Sequence, residues 1–532
     1  MRRFASAAAL TRGAACVALA LLSYFQFPGH TWLQQDSQIY APILEHLRDP
    51  SVLRNDLLVQ QPHVAFTVYD EVTLGLRAVT GASFHTVLAG QQIAARTLGI
   101  WGLLLMAETA GLAFWPALLV AAICSLGAAI PGPAVLTVEY EPSPRAFALP
   151  LLICAAGLAV RGRHWAAGVA GGVAVLYHAP TALPFCSVYA AMMVWPKPGR
   201  EARWRALGPL AAASALLLVC ARWQSGAGEP QQFFAHLDAA QVALQRLRTA
   251  YVWVSAWPAE NLWHHALLLV IFVAAMARIR EALGTELRLM LAGMAAVGVL
   301  SVPLSWLLLE QAKWGLIPQL QPMRALLFVT LGVQFLTAAA GARALVERRM
   351  AEAFAWFVLA YMLPMQPLAT GPFDGIRLAV ALVLAGATVM LRARVAPAAA
   401  LVAFFAIPLV GGVVNYPDLH TADLAELSAW ARENTPKDAV FLFPDVNKGL
   451  APGIFRSEAL RAVYVDWKGG GQVNYLKDLG EQWWFRWQQT RRFQAGDLPR
   501  YGAIGITYVV LREPLARAAA HQNQTYAVYA VR

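Results

Sequence analysis

The sequence predicts an α-helical, multi-pass membrane protein of about 13 transmembrane helices that ends in an α/β domain outside the membrane. Three observations predict it. Apolar runs that read as helical crossings of a hydrocarbon core, which needs roughly 20 apolar residues per crossing, recur along the chain until about residue 414. Of the 532 residues, 58% are hydrophobic and only 14% charged, far from the usage of a soluble domain. The net charge of +11 comes from Arg and Lys gathered in short loops between the apolar runs. That placement is the orientation signature of membrane proteins, so the charge does not imply a nucleic-acid partner.

The elements follow in order. Arg2, Arg3 and Arg12 precede the run Ala14 to Phe27, and no small-residue cleavage site follows it, so it reads as a retained first helix. The basic start keeps the N-terminus inside and releases an external loop from Pro28 to Ser83. Helix two returns over Thr86 to Ala107, and helix three climbs over Leu112 to Ile130. A second external loop, Pro131 to Pro144, carries Glu139-Tyr140-Glu141. Helix four descends from Arg145 to the basic turn Arg161-Gly162-Arg163-His164. Two short segments, Trp165 to Tyr177 and Thr181 to Trp195, hinge at His178-Ala179-Pro180 and have basic flanks on both sides, the second with Lys197, Arg200, Arg203 and Arg205. A hairpin that enters from the cytoplasm and returns satisfies both flanks. Helix seven, Leu207 to Ala221, leads to an external segment with Gln231 to Arg248. Helices eight to thirteen are read near His265 to Ala277, from Leu289 to Glu310, from Arg324, and over Phe354 to Met365, Ile376 to Leu391 and Ala396 to Val414. Basic turns at Arg278, Arg280, Arg343, Arg348, Arg349, Arg392 and Arg394 then fall inside.

Residues 1–414 thus form the membrane domain and 415–532 a second domain. In the latter, Leu424 to Trp430 has helical spacing, opened by Thr421 and closed by Asn434-Thr435-Pro436. Short apolar runs at 439–443, 462–465, 508–511 and 526–531 read as strands, with a helical stretch from Leu476 to Arg491 between the second and third. Alternation at this spacing suggests a small α/β fold. The five cysteines all sit in apolar runs, where they act as small hydrophobes, so no disulfide framework is expected. Gly469-Gly470-Gly471 lacks the spacing of a dinucleotide fingerprint, which argues against a soluble sugar-nucleotide enzyme.

A long first external loop with an early acid, a carboxylate pair in the second, a short hairpin and an external C-terminal domain occur together in one superfamily. Over about residues 1–415 the chain resembles the GT-C membrane glycosyltransferases, which include protein O-mannosyltransferases, aminoarabinose transferases and oligosaccharyltransferases. Asp36-Ser37-Gln38-Ile39-Tyr40, Asp49-Pro50, Asn55-Asp56 and Val463-Tyr464-Val465-Asp466-Trp467-Lys468 resemble a bacterial branch of unassigned function. The resemblance implies inverting transfer of a sugar from a polyprenyl-phosphate carrier to an acceptor on the non-cytoplasmic side. The place would be a bacterial inner membrane with the C-terminal domain in the periplasm. Two other readings are open: a transporter or flippase of lipid-linked sugars, and a non-catalytic envelope scaffold. The first would place polar groups at the midplane of several helices and repeat its halves, and neither pattern is seen.

Single residues carry the chemistry. Asp36, nine residues past the first helix exit, is an acid in polar company that could serve as the base for an attacking acceptor. The plain alternative is an N-cap on a helix beginning near Ser37. Glu139 and Glu141, at i and i+2, point to one side in extended backbone and would suit Mg²⁺ or Mn²⁺; the alternative is a pair of solvated charges. No other cofactor is expected. Arg145 and Arg324 stand at outer helix ends against the positive-inside bias, where a planar donor fork suits a lipid phosphate, unless they merely snorkel to headgroups. Lys313 is a further candidate there. His178, at the hairpin tip, would position a phosphate or relay a proton, or simply hold a structural hydrogen bond. Arg96, with Gln91 and Gln92, makes a polar helix face expected to point into the bundle.

Overall fold

A computed structural model of the chain describes every residue except 1, 27–28, 61–65, 196–202, 225–232, 366–374, 411–418, 493, 495–496 and 532, with side chains from residue 9 onward. Helices stand where the apolar runs predict them: Arg2–Phe25, Phe84–Thr109, Phe114–Cys124, Pro144–Val160, His164–Val194, Gly208–Gln224, Ala259–Arg278, Thr285–Ser305, Leu326–Val346, Met350–Met362, Gly375–Met390 and Pro397–Val410. Among the described residues, five helical stretches are long and apolar enough to cross a membrane: His164–Val194, Trp204–Gln224, Ala259–Arg278, Thr285–Gln311 and Ile317–Val346. The last is the most deeply packed, with 94% of its apolar window buried inside the bundle.

His164–Val194 is a hairpin rather than one rod. His178 leaves helical geometry at φ −157°, ψ 87°, two residues before Pro180, whose ring clashes with a helical turn and whose nitrogen has no proton to donate. The two limbs then run back along each other: Tyr189 Oη donates to the His164 carbonyl at 2.7 Å, and the Phe185 ring lies against Gly171. The predicted third helix is shorter than expected. It stops at Cys124, Gly127 takes φ 73°, and Ala129–Ile130 (β1) pairs antiparallel with Val135–Leu136 (β2). Lys197, Arg200, Gln231 and the 414/415 boundary lie outside the described residues.

Close backbone contact packs the bundle beside the site. A Cβ on Gly102 would come within 2.3 Å of the Ile153 carbonyl, and one on Gly157 within 2.5 Å of the Gly102 carbonyl. Small residues at such crossings let helices meet where lipid supplies no hydrophobic drive. The basic turns are ion-paired at one end of the bundle. Glu108 bridges Arg12 and Arg161, Glu286 meets Arg203, and Arg278 meets Glu347 and Glu352. Arg145 and Arg161 bound the same helix, so the loop with Glu139 and Glu141 lies at the other end.

The C-terminal sheet has the order β4-β3-β5-β7-β6, from Val440–Leu442 (β3), Ala462–Val463 (β4), Tyr508–Leu511 (β5), His521–Gln522 (β6) and Ala527–Ala530 (β7). β3 is parallel to β4 and β5, while β7 is antiparallel to β5 and β6. Both faces are covered, which explains why the strands read as continuous apolar runs. Val440, Leu442, Val509 and Leu511 face a cluster with Trp483 and Trp487 from the Lys477–Thr490 helix. Phe441, Phe443, Val463 and Val510 face helices Ala422–Asn434 and Ala451–Ala459. Burying one such aromatic or aliphatic side chain contributes about 1.5–3 kcal/mol.

The sheet is not a separate core. Leu57 of the first loop packs into the first cluster, and Leu33 and Ala41 into the second. Arg456 is clamped between Asp56 of that loop (Nε to Oδ2, 2.6 Å) and Asp466 (Nη2 to Oδ1, 2.5 Å), with all three side chains at most 2% exposed. Gly453 lies so close to Gln38 that a Cβ there would meet Oε1 at 2.1 Å. The first loop and the C-terminal residues therefore fold as one unit over the bundle end.

Candidate active site

Between that unit and the bundle end lies a cavity of about 970 Å³. Its walls bring together Asp36, Glu139, Glu141, Arg145, His178 and Arg324, which are scattered across the sequence.

Asp36 ends the turn before the Ser37–Arg48 helix, but its side chain makes no capping hydrogen bond. Instead Oδ1 accepts from Lys468 Nζ at 2.8 Å, while the side chain stays 40% exposed to the cavity. Burial opposes ionisation, but Lys468, Arg145 and Arg324 outweigh it and hold the carboxyl well below the usual carboxylate range.

Glu141 is the residue that shapes this turn. It accepts hydrogen bonds from the backbone N–H of Gln34 and Gln35 at 2.7 Å, and from Ser37 N–H at 3.0 Å and Oγ at 2.7 Å. The backbone on both sides of Asp36 is thereby tied to one buried carboxylate. Burial, then the charge of Asp36, raises its own pKa above the ordinary value despite these donors. Glu139 turns elsewhere, accepting from Arg145 Nε at 2.6 Å, with both side chains 9% exposed. The extended-strand expectation that the two glutamates share one side is thus corrected: the loop sends them into different networks. A divalent cation does not fit these groups, because Asp36, Glu139 and Glu141 are engaged by Lys468, Arg145 and backbone N–H groups. Among the described residues no three His, Cys, Asp or Glu side chains converge on one point.

Arg96 points into the bundle as its neighbours suggest. It donates to the carbonyls of Ser23 (2.9 Å), Gly29 (3.0 Å) and Glu139 (2.8 Å), while Gln92 Nε2 donates to those of Glu139 and Tyr140. It is a brace for the two loops, away from the cavity wall. Lys313 is also misplaced by the sequence reading. Its ammonium donates to the Glu310 carbonyl at 2.5 Å and lies over the Trp253 ring, because residue 313 takes φ 55° and turns the side chain back on its own helix. Lys313 is not among the cavity's lining residues.

Arg324 reaches the cavity from the turn Pro322–Ala325, stacked over Tyr251 at 5.3 Å and donating to the Pro133 carbonyl at 3.4 Å. His178 accepts from the Thr181 N–H at Nδ1, so the proton of the neutral ring sits on Nε2. One ring nitrogen thus makes a structural bond, and the residue lines the cavity.

Three further groups were not read as site residues from the sequence, although Trp467 and Lys468 stand in its tail motif and Arg248 ends one of its segments. Trp467 and Lys468 arrive from the segment that follows β4, and Arg248 from the segment before Tyr251. Arg248 stacks on Trp467 at 4.9 Å and donates to its carbonyl at 3.0 Å. Its signal was legible, since it too is a basic residue in a segment that the sequence reads as external. Four cations, Arg145, Arg248, Arg324 and Lys468, meet three carboxylates in the wall. Among the described residues, Arg248 and Arg324 have no carboxylate partner, which leaves two guanidinium groups to receive an anion.

A family model described as a domain of unknown function, DUF6798, matches residues 422–490. No curated protein matches the chain. Among solved structures, the chain is similar to ArnT from Cupriavidus metallidurans in the apo state, at 14% identity and a TM-score of 0.50, covering 99% of this chain and 98% of that one. ArnT from the same organism bound to undecaprenyl phosphate aligns at 13% identity and a TM-score of 0.48, covering 99% and 98%. Arabinofuranosyltransferase AftD from Mycobacteria aligns at 15% identity and a TM-score of 0.46, covering 97% of this chain and 35% of that one. At these identities the likeness is one of fold. Over nearly the whole chain the fold is thus like that of ArnT. With five helical stretches long and apolar enough to cross a membrane among the described residues, the chain reads as a multi-pass membrane protein.

Proposed function

We propose that this chain is a GT-C glycosyltransferase that moves a sugar, with inversion, from a polyprenyl-phosphate carrier to an acceptor on the non-cytoplasmic face of a bacterial inner membrane. The observation that carries the reading is the Asp36 carboxylate, bonded to Lys468, facing a cavity that also holds Arg248 and Arg324, which among the described residues have no carboxylate partner. In that arrangement an acceptor hydroxyl attacks the anomeric carbon, and its proton passes to Asp36. The bond from the anomeric carbon to the phosphate oxygen breaks, and the carrier leaves as the phosphate monoester. Arg324 and Arg248 receive its charge, with Arg145 behind Glu139 and the His178 Nε2 proton adding to the field.

The topology of this reading has about 13 crossings, counting the hairpin as two, with the N-terminus in the cytoplasm and the C-terminal domain in the periplasm. The ion-paired basic turns at one end of the bundle and the cavity at the other support it.

The test is mass spectrometry of lipid-linked sugars and envelope glycans in cells with and without the gene. Transfer predicts a missing sugar and an accumulating carrier-linked donor on the outer leaflet. A carrier-linked sugar stranded on the cytoplasmic leaflet would overturn it in favour of flipping.

A further inference from the structure

The segment after β4 delivers one ammonium group to the candidate base, and several contacts hold it there. Lys468 Nζ meets Asp36 Oδ1 at 2.8 Å and Gln35 Oε1 at 3.4 Å, and the lysine side chain is only 12% exposed. Behind it, the chain is pinned at every step. Asp466 is held by Arg456, and its carbonyl accepts from Trp483 Nε1 at 2.7 Å. The Trp467 and Lys468 carbonyls both accept from Arg248. Arg456 also holds Asp56, which accepts from the Val463 N–H at 2.8 Å. A freely moving surface lysine would need none of this.

We infer that Lys468 is a positioning residue for Asp36: it holds Oδ1, fixes the rotation of the carboxylate, and leaves Oδ2 turned to the acceptor. This rests on the reading of Asp36 as the base. Among the described residues Oδ2 has no protein donor, so one oxygen is clamped and the other is available. The lone N-cap alternative for Asp36 offers no such division, because the side chain bonds no helix N–H. The role carries a cost in basicity. A carboxylate paired with an ammonium gives up proton affinity, so the site exchanges base strength for a fixed, always ionised acceptor of the proton. It also explains why the C-terminal residues share a core with the first loop, since a swing of one against the other would part Lys468 from Asp36.

The charged and titratable groups facing Asp36 are Lys468 from the sheet unit, Glu141 and Arg145 from the second loop and its helix, Arg324 and Arg248 from the outer turns, and His178, Tyr40 and Tyr475. Removing Lys468 leaves two arginines favouring ionisation against burial and Glu141. The carboxyl should then titrate closer to the working range, and loss should concentrate at low pH.

The experiment uses full-length protein in deletion cells, with Lys468→Met, Lys468→Arg and Asp36→Asn, read by the carrier-linked sugars at external pH 5 and 7.5, which the periplasm follows. In Lys468→Met the ratio of variant to wild-type transfer should be at least about threefold lower at pH 5 than at pH 7.5, and Lys468→Arg should restore most of the low-pH loss. A ratio equal at both pH values, whether high or low, would overturn the inference.

A second measurement separates this from failure of the function itself. In nanodiscs, the fall in melting temperature on Lys468→Met should shrink at least twofold when Asp36→Asn is already present. Additive shifts would refute the pairing even if sugar transfer is real. Deletion cells with unchanged lipid-linked sugars, but coupled shifts, would refute the transferase reading and leave the pair standing.

Discussion

Glu141 and Ser37 are joined twice, the hydroxyl donating to Oε1 at 2.7 Å and the backbone N–H to Oε2 at 3.0 Å. The contact crosses from the loop before the Pro144–Val160 helix to the residue after Asp36, so the acid whose role looked metal-binding acts as the mould for the first loop. Glu141→Gln replaces one acceptor oxygen by a donor that must face N–H groups. It should lower stability by about 1–3 kcal/mol and reduce transfer, read by thermal melt and by carrier-linked sugar. Unchanged melting and activity would mean the turn holds its shape without the carboxylate.

Asp36→Asn keeps the size and removes the charge. Transfer should fall by about two orders of magnitude or more, with the protein still folded and abundant. Full activity in this variant would remove Asp36 from the chemistry.

Arg324 should bind phosphate through its planar fork, which lysine lacks. With undecaprenyl phosphate as probe, Arg324→Lys should weaken binding nearly as much as Arg324→Ala, at unchanged melting temperature. Lys313→Ala should leave binding unchanged, because its ammonium is spent on the Glu310 carbonyl. Equal affinity in wild type and both Arg324 variants would assign that arginine to headgroup contact alone.

Asp70, in the first loop, gives a pH dependence of known sign. Burial, then the charge of Glu71, pushes its pKa up to about 7. The folded state thus holds this proton more tightly than the unfolded chain does, so the group costs stability progressively as pH rises from about 4 to 7. Asp70→Asn removes the cost. Its melting temperature should exceed wild type more at pH 8 than at pH 5, by on the order of 1–4 kcal/mol in stability. A difference that does not change with pH would show that Asp70 is not held protonated.

Reporter fusions after Arg205, Arg280, Arg349 and Arg394 should report cytoplasm, and those after Glu141 and Tyr416 the outside. An external Arg280 would break the proposed topology.

Much of the helical frame was legible because lipid solvation is written into composition. A run such as Leu326–Val346 can only be buried or span, and the break at His178 was visible in the proline that follows it. The strands at 440, 462 and 508 were legible for a related reason, since burial on both faces leaves no polar alternation. β1 and β2 were not, as two residues carry no period. Asp36, Arg145, His178 and Arg324 stood out because a charged or titratable group at a helix end is chemically expensive and therefore conspicuous, and the structure sets all four in one cavity wall.

The partners of those residues are another matter. Sequence spacing placed Glu139 and Glu141 together, yet one loop conformation sends the first to Arg145 and the second to the Asp36 turn. Lys313 and Arg324 looked alike as cations near one helix start, and a single φ of 55° at residue 313 separated them. Lys468 lies 432 residues from Asp36, and no local pattern encodes a contact across that distance. What the sequence by itself determined is which segments leave water and which charges resist doing so, because burial free energy is a property of each side chain. Which charge meets which was decided only by the tertiary structure, because an ion pair depends on angstrom-scale placement that the packing of the whole fold supplies.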